Sequence, residues 1–382
     1  MGKRETASAS TWSVAAMLVL AAIGFACTRE PATMTETAAQ LRYEAMAARI
    51  VAALQPEPGE RVLLRFDPEL MPALETEVGK QLKEAGAQVG SLPYGEAEDF
   101  EQRLNQTDAY VWLPVADQFT STPPEQAEAL GRWLDEGRGR QIHFHWGSGT
   151  FGHDGRPGEH STAYDRVYVD ALEINYQALD QQMEAAIGML RAGTVRVTTS
   201  AGTDIRFRVG DRPFTKQNGD ASKAAMQSAT VRVQREIELP AGALRVAPLE
   251  ESVEGTMVIP WARIGGSEVR GIRLQFERGV ITRAAAEENE AALRQELEAN
   301  PALKHFREFA LGFNPKLVTP TGERWIAYYG YGAGVVRLSL GDNSELGGAV
   351  RGGAARWFFF PDATVRVGGE VLAEAGHLAF SP

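Results

Sequence analysis

The sequence predicts an α/β domain with a mostly parallel sheet, followed by an antiparallel, β-rich domain that also carries helices. Up to about Gly193, short apolar strand segments alternate with helical ones, the pattern of a parallel sheet with crossover helices. Beyond it, most segments alternate apolar and polar residues between Gly- and Asp-bearing turns, the pattern of antiparallel strands. A chain of 382 residues, 44% hydrophobic and 23% charged, is long enough to bury two such cores.

The elements follow in order. Apolar residues recur at helical spacing from Leu41 to Leu54 (Leu41, Ala45, Ala48, Val51), and PEPGE then ends the helix. Arg61–Phe66 reads as a short buried strand, and Glu69–Gly86 as a helix stopped by its last glycine. AQVGSLPY, Asp108–Val115 and Arg140–Trp146 supply further strands, with a helix over Pro123–Glu136. Tyr164–Arg191 reads as one long helix bridging the domains. TVRVTT, DIRFRV, ATVRVQREIEL, GALRVAP, GTMVIP, EVRGIRLQFE and GVIT are antiparallel candidates, and Ala284–Glu298 is a polar-faced helix among them. In QREIEL, Glu236 and Glu238 flank Ile237, as on a sheet with one wet face. The domains are set at 39–193 and 194–382.

The net charge of −11, with no basic run to offset it, excludes nucleic acid as a partner, because phosphate binding needs a basic surface. The single cysteine, Cys27, excludes an internal disulfide and a cysteine metal site. Lys3 and Arg4 precede the apolar run Ser13–Ala26, which is short for a membrane span and ends at this cysteine. Residues 1–27 therefore read as a lipoprotein-type signal peptide with Cys27 as the lipidated residue, and 28–38 as a polar tether. The expected location is the bacterial cell envelope, lipid-anchored on the periplasmic side. An uncleaved anchor is the other reading.

Four of the six histidines, His143, His145, His153 and His160, fall within 18 residues, with Asp154 beside His153. His143 and His145 share one strand face, and a Gly-rich segment follows them. A His/His/Asp metal site is chemically open to this group, as is plain packing of the strand-end pair beneath a surface loop. Strand ends of α/β sheets are where ligands bind. Ser339 and Ser344 have no nearby histidine in the sequence to act as a base.

Four segments, LPAGALRVAPLEESVEGT (Leu239–Thr256), REFALGFN (Arg307–Asn314), GAGVVRLSLGDN (Gly332–Asn343) and ARWFFFPDATVRVGGEVLAEAG (Ala355–Gly376), resemble in order and spacing the C-terminal half of the metallo-aminopeptidases of the aminopeptidase T and aminopeptidase S type. The opening LRYEAMAARIVAALQPEPGERVLLRF resembles that family's first helix, turn and strand. The resemblance implies the family fold, with a cleft between the two domains, and a homodimer. It also implies that each of the four segments brings ligands to a two-metal centre. Carried over residue by residue, the ligand positions are Ala243, Glu308, Arg337, Ala355 and Trp357, and the family's catalytic tyrosine position is Ser344. Only Glu308 keeps a metal ligand. A slip of the last segment would instead place Asp362 and Phe360 at the final pair. No histidine lies between His305 and His377 in either alignment.

The replacements are consistent in charge. Arg337 is expected to pair with Glu308 and take the place of metal as its counter-charge, since a guanidinium can grip a carboxylate with two hydrogen bonds. Trp357 and Phe358–Phe360 are expected to fill the vacated volume. Two functions stay open: an exported family homologue without its dinuclear site, non-catalytic or re-purposed to bind peptides, and an active aminopeptidase or other hydrolase. The second would use zinc, cobalt or manganese held elsewhere, at His143 and His145.

Overall fold

The structure is a computed structural model, and it describes residues 42–96, 99–115, 122–146 and 150–379. The leader, Cys27 and the tether lie outside the described residues.

The N-terminal half is built from α1 (Tyr43–Leu54), β1 (Arg61–Phe66), α2 (Pro72–Glu84), β2 (Gln88–Pro93), α3 (Phe100–Asn105), β3 (Ala109–Trp112), α4 (Pro124–Asp135) and β4 (Arg140–Phe144). The α1 helix forms as its periodicity predicts but buries Met46, Ala47, Ile50, Ala53 and Leu54, while Ala48 faces solvent. The expected stripe was one step off, because the buried set starts at Met46 and not at Ala45. The segment read as one helix over Tyr164–Arg191 is two, α5 (Thr162–Leu172) and α6 (Tyr176–Arg191). Asn175 breaks it: its side chain accepts from the Ala178 N–H at 3.0 Å, so it caps a new helix instead of continuing the old one.

From there the chain forms β5 (Val195–Thr198), β6 (Asp204–Phe207), β7 (Thr215–Gln217), the short α7 (Lys223–Gln227), β8 (Glu236–Leu239), β9 (Ala243–Val246), β10 (Glu254–Ile264), β11 (Ser267–Glu277) and β12 (Val280–Ala285). It ends with α8 (Glu290–Ala299), β13 (Phe306–Gly312), β14 (Val336–Gly341), β15 (Ala355–Phe360), β16 (Thr364–Val367), β17 (Glu370–Glu374) and β18 (His377–Leu378). Three sheets result. The parallel one has the order β2-β1-β3-β4-β8. An antiparallel eight-stranded sheet runs β12-β11-β10-β6-β5-β16-β17-β18, and a second antiparallel sheet runs β15-β14-β13-β9-β7.

β8 corrects the reading of ATVRVQREIEL as one antiparallel strand. Arg232–Arg235 is a 3-10 turn, and Glu236–Leu239 pairs in parallel with Gln141–Phe144. The parallel sheet is thus completed by a strand from beyond Gly193. The chain then turns at Gly242, whose φ is +146° and whose amide donates to the Gln217 carbonyl at 2.7 Å. A Cβ there would come within 2.5 Å of Asn314 Cβ, so only glycine fits.

The second antiparallel sheet is two-faced. Phe306, Phe309, Leu338 and Phe358 are buried, and Phe306 and Phe309 stack against Phe207. The opposite face looks towards β8 and carries the polar groups described next.

Candidate functional site

Strand register places the nominated positions. Gly312 pairs with Ala243, Ala310 with both Arg245 and Arg337, Glu308 with Ser339, Ser339 with Trp357, and Gly341 with Ala355. Side chains alternate across a strand, so Ala243, Glu308, Arg337, Ala355 and Trp357 all lie on one face of this sheet. As donors, the five positions supply a single carboxylate.

That carboxylate is fully buried and fully engaged. Glu308 Oε1 accepts from Arg245 Nε at 2.5 Å and Arg337 Nη2 at 3.0 Å, while Oε2 accepts from Arg307 Nη1 at 2.6 Å and Ser339 Oγ at 3.3 Å. All three guanidinium groups are buried as well. Burial alone would push the carboxyl of Glu308 up, but Arg245, Arg337 and Arg307 outweigh it and hold the group well below the usual carboxylate range. The expected Arg337–Glu308 pair forms, as one arm of a larger cluster.

Sequence reasoning missed the other arms. Arg245 could have been found by alternation, two residues after Ala243 on the same face. Arg307 is brought in by a register shift between Phe306 and Glu308, a bulge that lets consecutive residues reach the same cluster. Arg307 also donates to Glu345, and Arg245 Nη2 lies 3.5 Å from the same carboxylate. Glu345 in turn takes Arg232 at 3.1 Å, beside Glu236. Four guanidinium groups (Arg232, Arg245, Arg307, Arg337) thus face three carboxyl groups (Glu236, Glu308, Glu345). Burial first, and Glu345 second, push Glu236 up to about 8.

The aromatic filling is partly as expected. The Trp357 ring centroid stands 5.1 Å from Arg337 Cζ, and Phe359 shares its face. Phe358 and Phe360 belong to the other, apolar face and do not fill the site. The remaining volume is taken by Tyr329, Tyr331 and Phe151, which pack against one another and Trp357. Ser344 opens a 3-10 turn and donates its N–H to Asp342 at 2.8 Å. Asp362 is remote in role: its Oδ2 accepts from Ser200 Oγ at 2.5 Å and Ser200 N at 3.2 Å, at the exposed end of the other antiparallel sheet.

The histidine group does not assemble as one site. His143 and His145 come together, with ring centroids 5.2 Å apart, and Trp112 packs on both. His153 is exposed. Asp154 is buried, but its Oδ2 accepts from the Arg263 N–H at 2.9 Å and Oδ1 from the Arg156 N–H at 3.4 Å, so it fixes the loop. His160 Nε2 lies 2.8 Å from Asp165 Oδ1, which also accepts from Trp146 Nε1 at 2.7 Å. Glu238 joins His143 and His145 instead. It sits directly opposite His143 in the parallel register, and one ligand atom of each of the three lies within 4.8 Å of the others. The charged pair on β8 is half-buried, alternating with the buried Ile237 and Leu239.

Residues 169–323 match the thermophilic metalloprotease (M29) family. The matched span contains Ala243 and Glu308 and stops before Arg337. Among solved structures, wild-type AmpT from Thermus thermophilus aligns with a TM-score of 0.59 and 16% identity over 89% of this chain and 99% of that one. The 2,5-dihydroxypyridine dioxygenase from Pseudomonas putida KT2440 aligns with a TM-score of 0.59 and 15% identity over 90% and 98%. Both likenesses are of fold. No curated protein matches.

Proposed function

We propose that this chain is a re-purposed member of the thermophilic metalloprotease family. Its inherited dinuclear site is replaced by an arginine–glutamate cluster, and it binds peptides in place of cleaving them. The observation that carries this reading is that Glu308, the one carboxylate at the five positions, is hydrogen-bonded by three guanidinium groups and a hydroxyl. A guanidinium has no acceptor to offer a cation, and two metals held about 3.5–4 Å apart need several anionic ligands to offset their repulsion. The residues present do not fit a dinuclear centre. Peptide as the ligand class comes from the family alone.

The test is metal content of the purified chain with an aminopeptidase assay in added zinc, cobalt or manganese. The expected result is no second metal equivalent and no turnover. Two metals per chain, or turnover abolished by Glu308→Gln, would overturn it. A second reading, an active hydrolase with a relocated metal, is favoured by Glu238 closing the His143–His145 pair. Turnover lost on His145→Ala and kept in Glu308→Gln would select it.

The same proposal covers location and assembly: export with a lipid on Cys27, anchoring on the periplasmic side, and a homodimer. Labelled palmitate entering wild-type chain but not Cys27→Ser tests the first two. Light scattering of the soluble chain tests the third, with a monomer mass refuting it.

A further inference from the structure

We propose that His143, His145 and Glu238 bind one divalent cation of the zinc class at the carboxyl end of the parallel sheet, with the fourth coordination position left to water. The set of two imidazoles and one carboxylate is a recurring zinc donor set. Its members come from β4, the residue just past β4, and β8, all at the sheet end where α/β proteins bind ligands. Their ligand atoms lie within 4.8 Å of one another, against roughly 3.4 Å between ligands of a tetrahedral zinc, so side-chain rotations of about 1 Å close the site.

Two further features point to a ligand. The first is Gln141, which is 1% exposed, lies two residues before His143 on the same face, and presses its amide nitrogen on His143 Nε2. Its Oε1 is buried with no partner among the described residues. A half-turn of the amide would bring that oxygen to the ring, where it would accept the Nε2 proton and leave Nδ1 as the metal donor. Ligating histidines are usually oriented by such an acceptor on their second nitrogen. The second feature is Tyr331, whose O–H donates to Glu238 Oε2 and would hold the carboxylate towards the histidines.

The site goes beyond the peptide-binding reading and does not rest on it, since none of its three donors is at one of the five family ligand positions. The test uses the full soluble chain stripped with chelator and titrated with cobalt alone, read by the visible absorption of a four-coordinate ion and by equilibrium dialysis. One equivalent is expected to bind. His145→Ala and Glu238→Gln are expected to abolish the spectrum. Gln141→Leu is expected to weaken binding roughly 10–100-fold, as loss of an orienting partner does. His153→Ala, on the exposed loop, is expected to bind as wild type. Circular dichroism identifies any variant that fails to fold, and Glu238→Gln carries the test if His145→Ala does so. Absence of cobalt binding by the folded wild-type chain, or binding unchanged in Glu238→Gln, would overturn the proposal.

Discussion

Glu308 determines what its surroundings can be. A buried carboxylate costs several kcal/mol in desolvation, which is recovered only where opposite charges and hydrogen bonds meet it. Here three guanidinium groups do so, and removing different members has unequal consequences. Glu308→Gln leaves Arg245, Arg307 and Arg337 facing a neutral amide, and it is expected to destabilise the fold by about 3–5 kcal/mol. Arg337→Met leaves Glu308 with Arg245 and Arg307 and is expected to cost clearly less. Urea unfolding of the two variants at neutral pH checks the order. The pH dependence has a definite sign. The folded carboxyl titrates below its unfolded value of about 4.3, so its contribution is complete above that value. The contribution fades as pH falls towards the depressed folded value. The gap between wild type and Glu308→Gln is therefore expected to narrow from about pH 5 to about pH 3.

At the scale of elements, β8 is the strand on which the sequence and the structure part. Alternation of Glu236, Ile237 and Glu238 fits a half-wet antiparallel strand as well as it fits the edge of a buried parallel one, because both bury every second residue. What decides is the partner, β4, nearly a hundred residues earlier, and no local pattern encodes that choice. The same limit explains Glu238: its meeting with His143 is a cross-strand event. By contrast, β1 and β9 were legible because their apolar runs and spacing are local. The Arg337–Glu308 pair was legible because the family resemblance places both positions at one site. The burial of β8 has a measurable result. Glu236, pushed up to about 8 by burial and by Glu345, binds its proton more tightly folded than unfolded. Stability is thus expected to fall as pH rises from about 4.3 to about 8, the window in which the folded chain holds a proton that the unfolded chain has lost. Glu236→Gln, which keeps the neutral shape, is expected to remove this slope. Relative to wild type it should gain at most about 5 kcal/mol by about pH 9, measured by thermal melts across that range. A variant that stays parallel to wild type at every pH would mean that Glu236 is ionised in the folded chain.

For the whole molecule, the same strand joins the halves into one folding unit. Besides the β4–β8 pairing, Arg140 is buried in the N-terminal half and donates its Nε to the Ala221 carbonyl at 2.7 Å, while Nη2 holds Glu60 at 2.8 Å. Asn314, also buried, donates to the Ala171 carbonyl at 3.1 Å and the Ala241 carbonyl at 2.7 Å, linking α5 to the turn after β8. Tyr164 O–H donates to the Trp325 carbonyl at 2.7 Å, and Tyr328 O–H to the Leu239 carbonyl at 2.6 Å. If residues 42–193 were separated from 194–379, the parallel sheet would lose its fifth strand. Arg140, Asn314 and Tyr164 would each lose an acceptor across the cut (the Ala221, Ala171 and Trp325 carbonyls), and a buried polar group left unpaired costs about 1–3 kcal/mol. Several such losses approach the whole stability of an ordinary domain, about 5–15 kcal/mol. A chain beginning at residue 194 is therefore expected to be unfolded or aggregated when expressed alone, and the intact chain to unfold in one calorimetric transition. Arg140→Ala, which breaks a buried pair within the N-terminal half, is expected to lower that single transition without splitting it. Two separable transitions in the intact chain, or a folded 194–382 fragment with dispersed amide resonances, would mean that the contacts across residue 193 carry little of the stability.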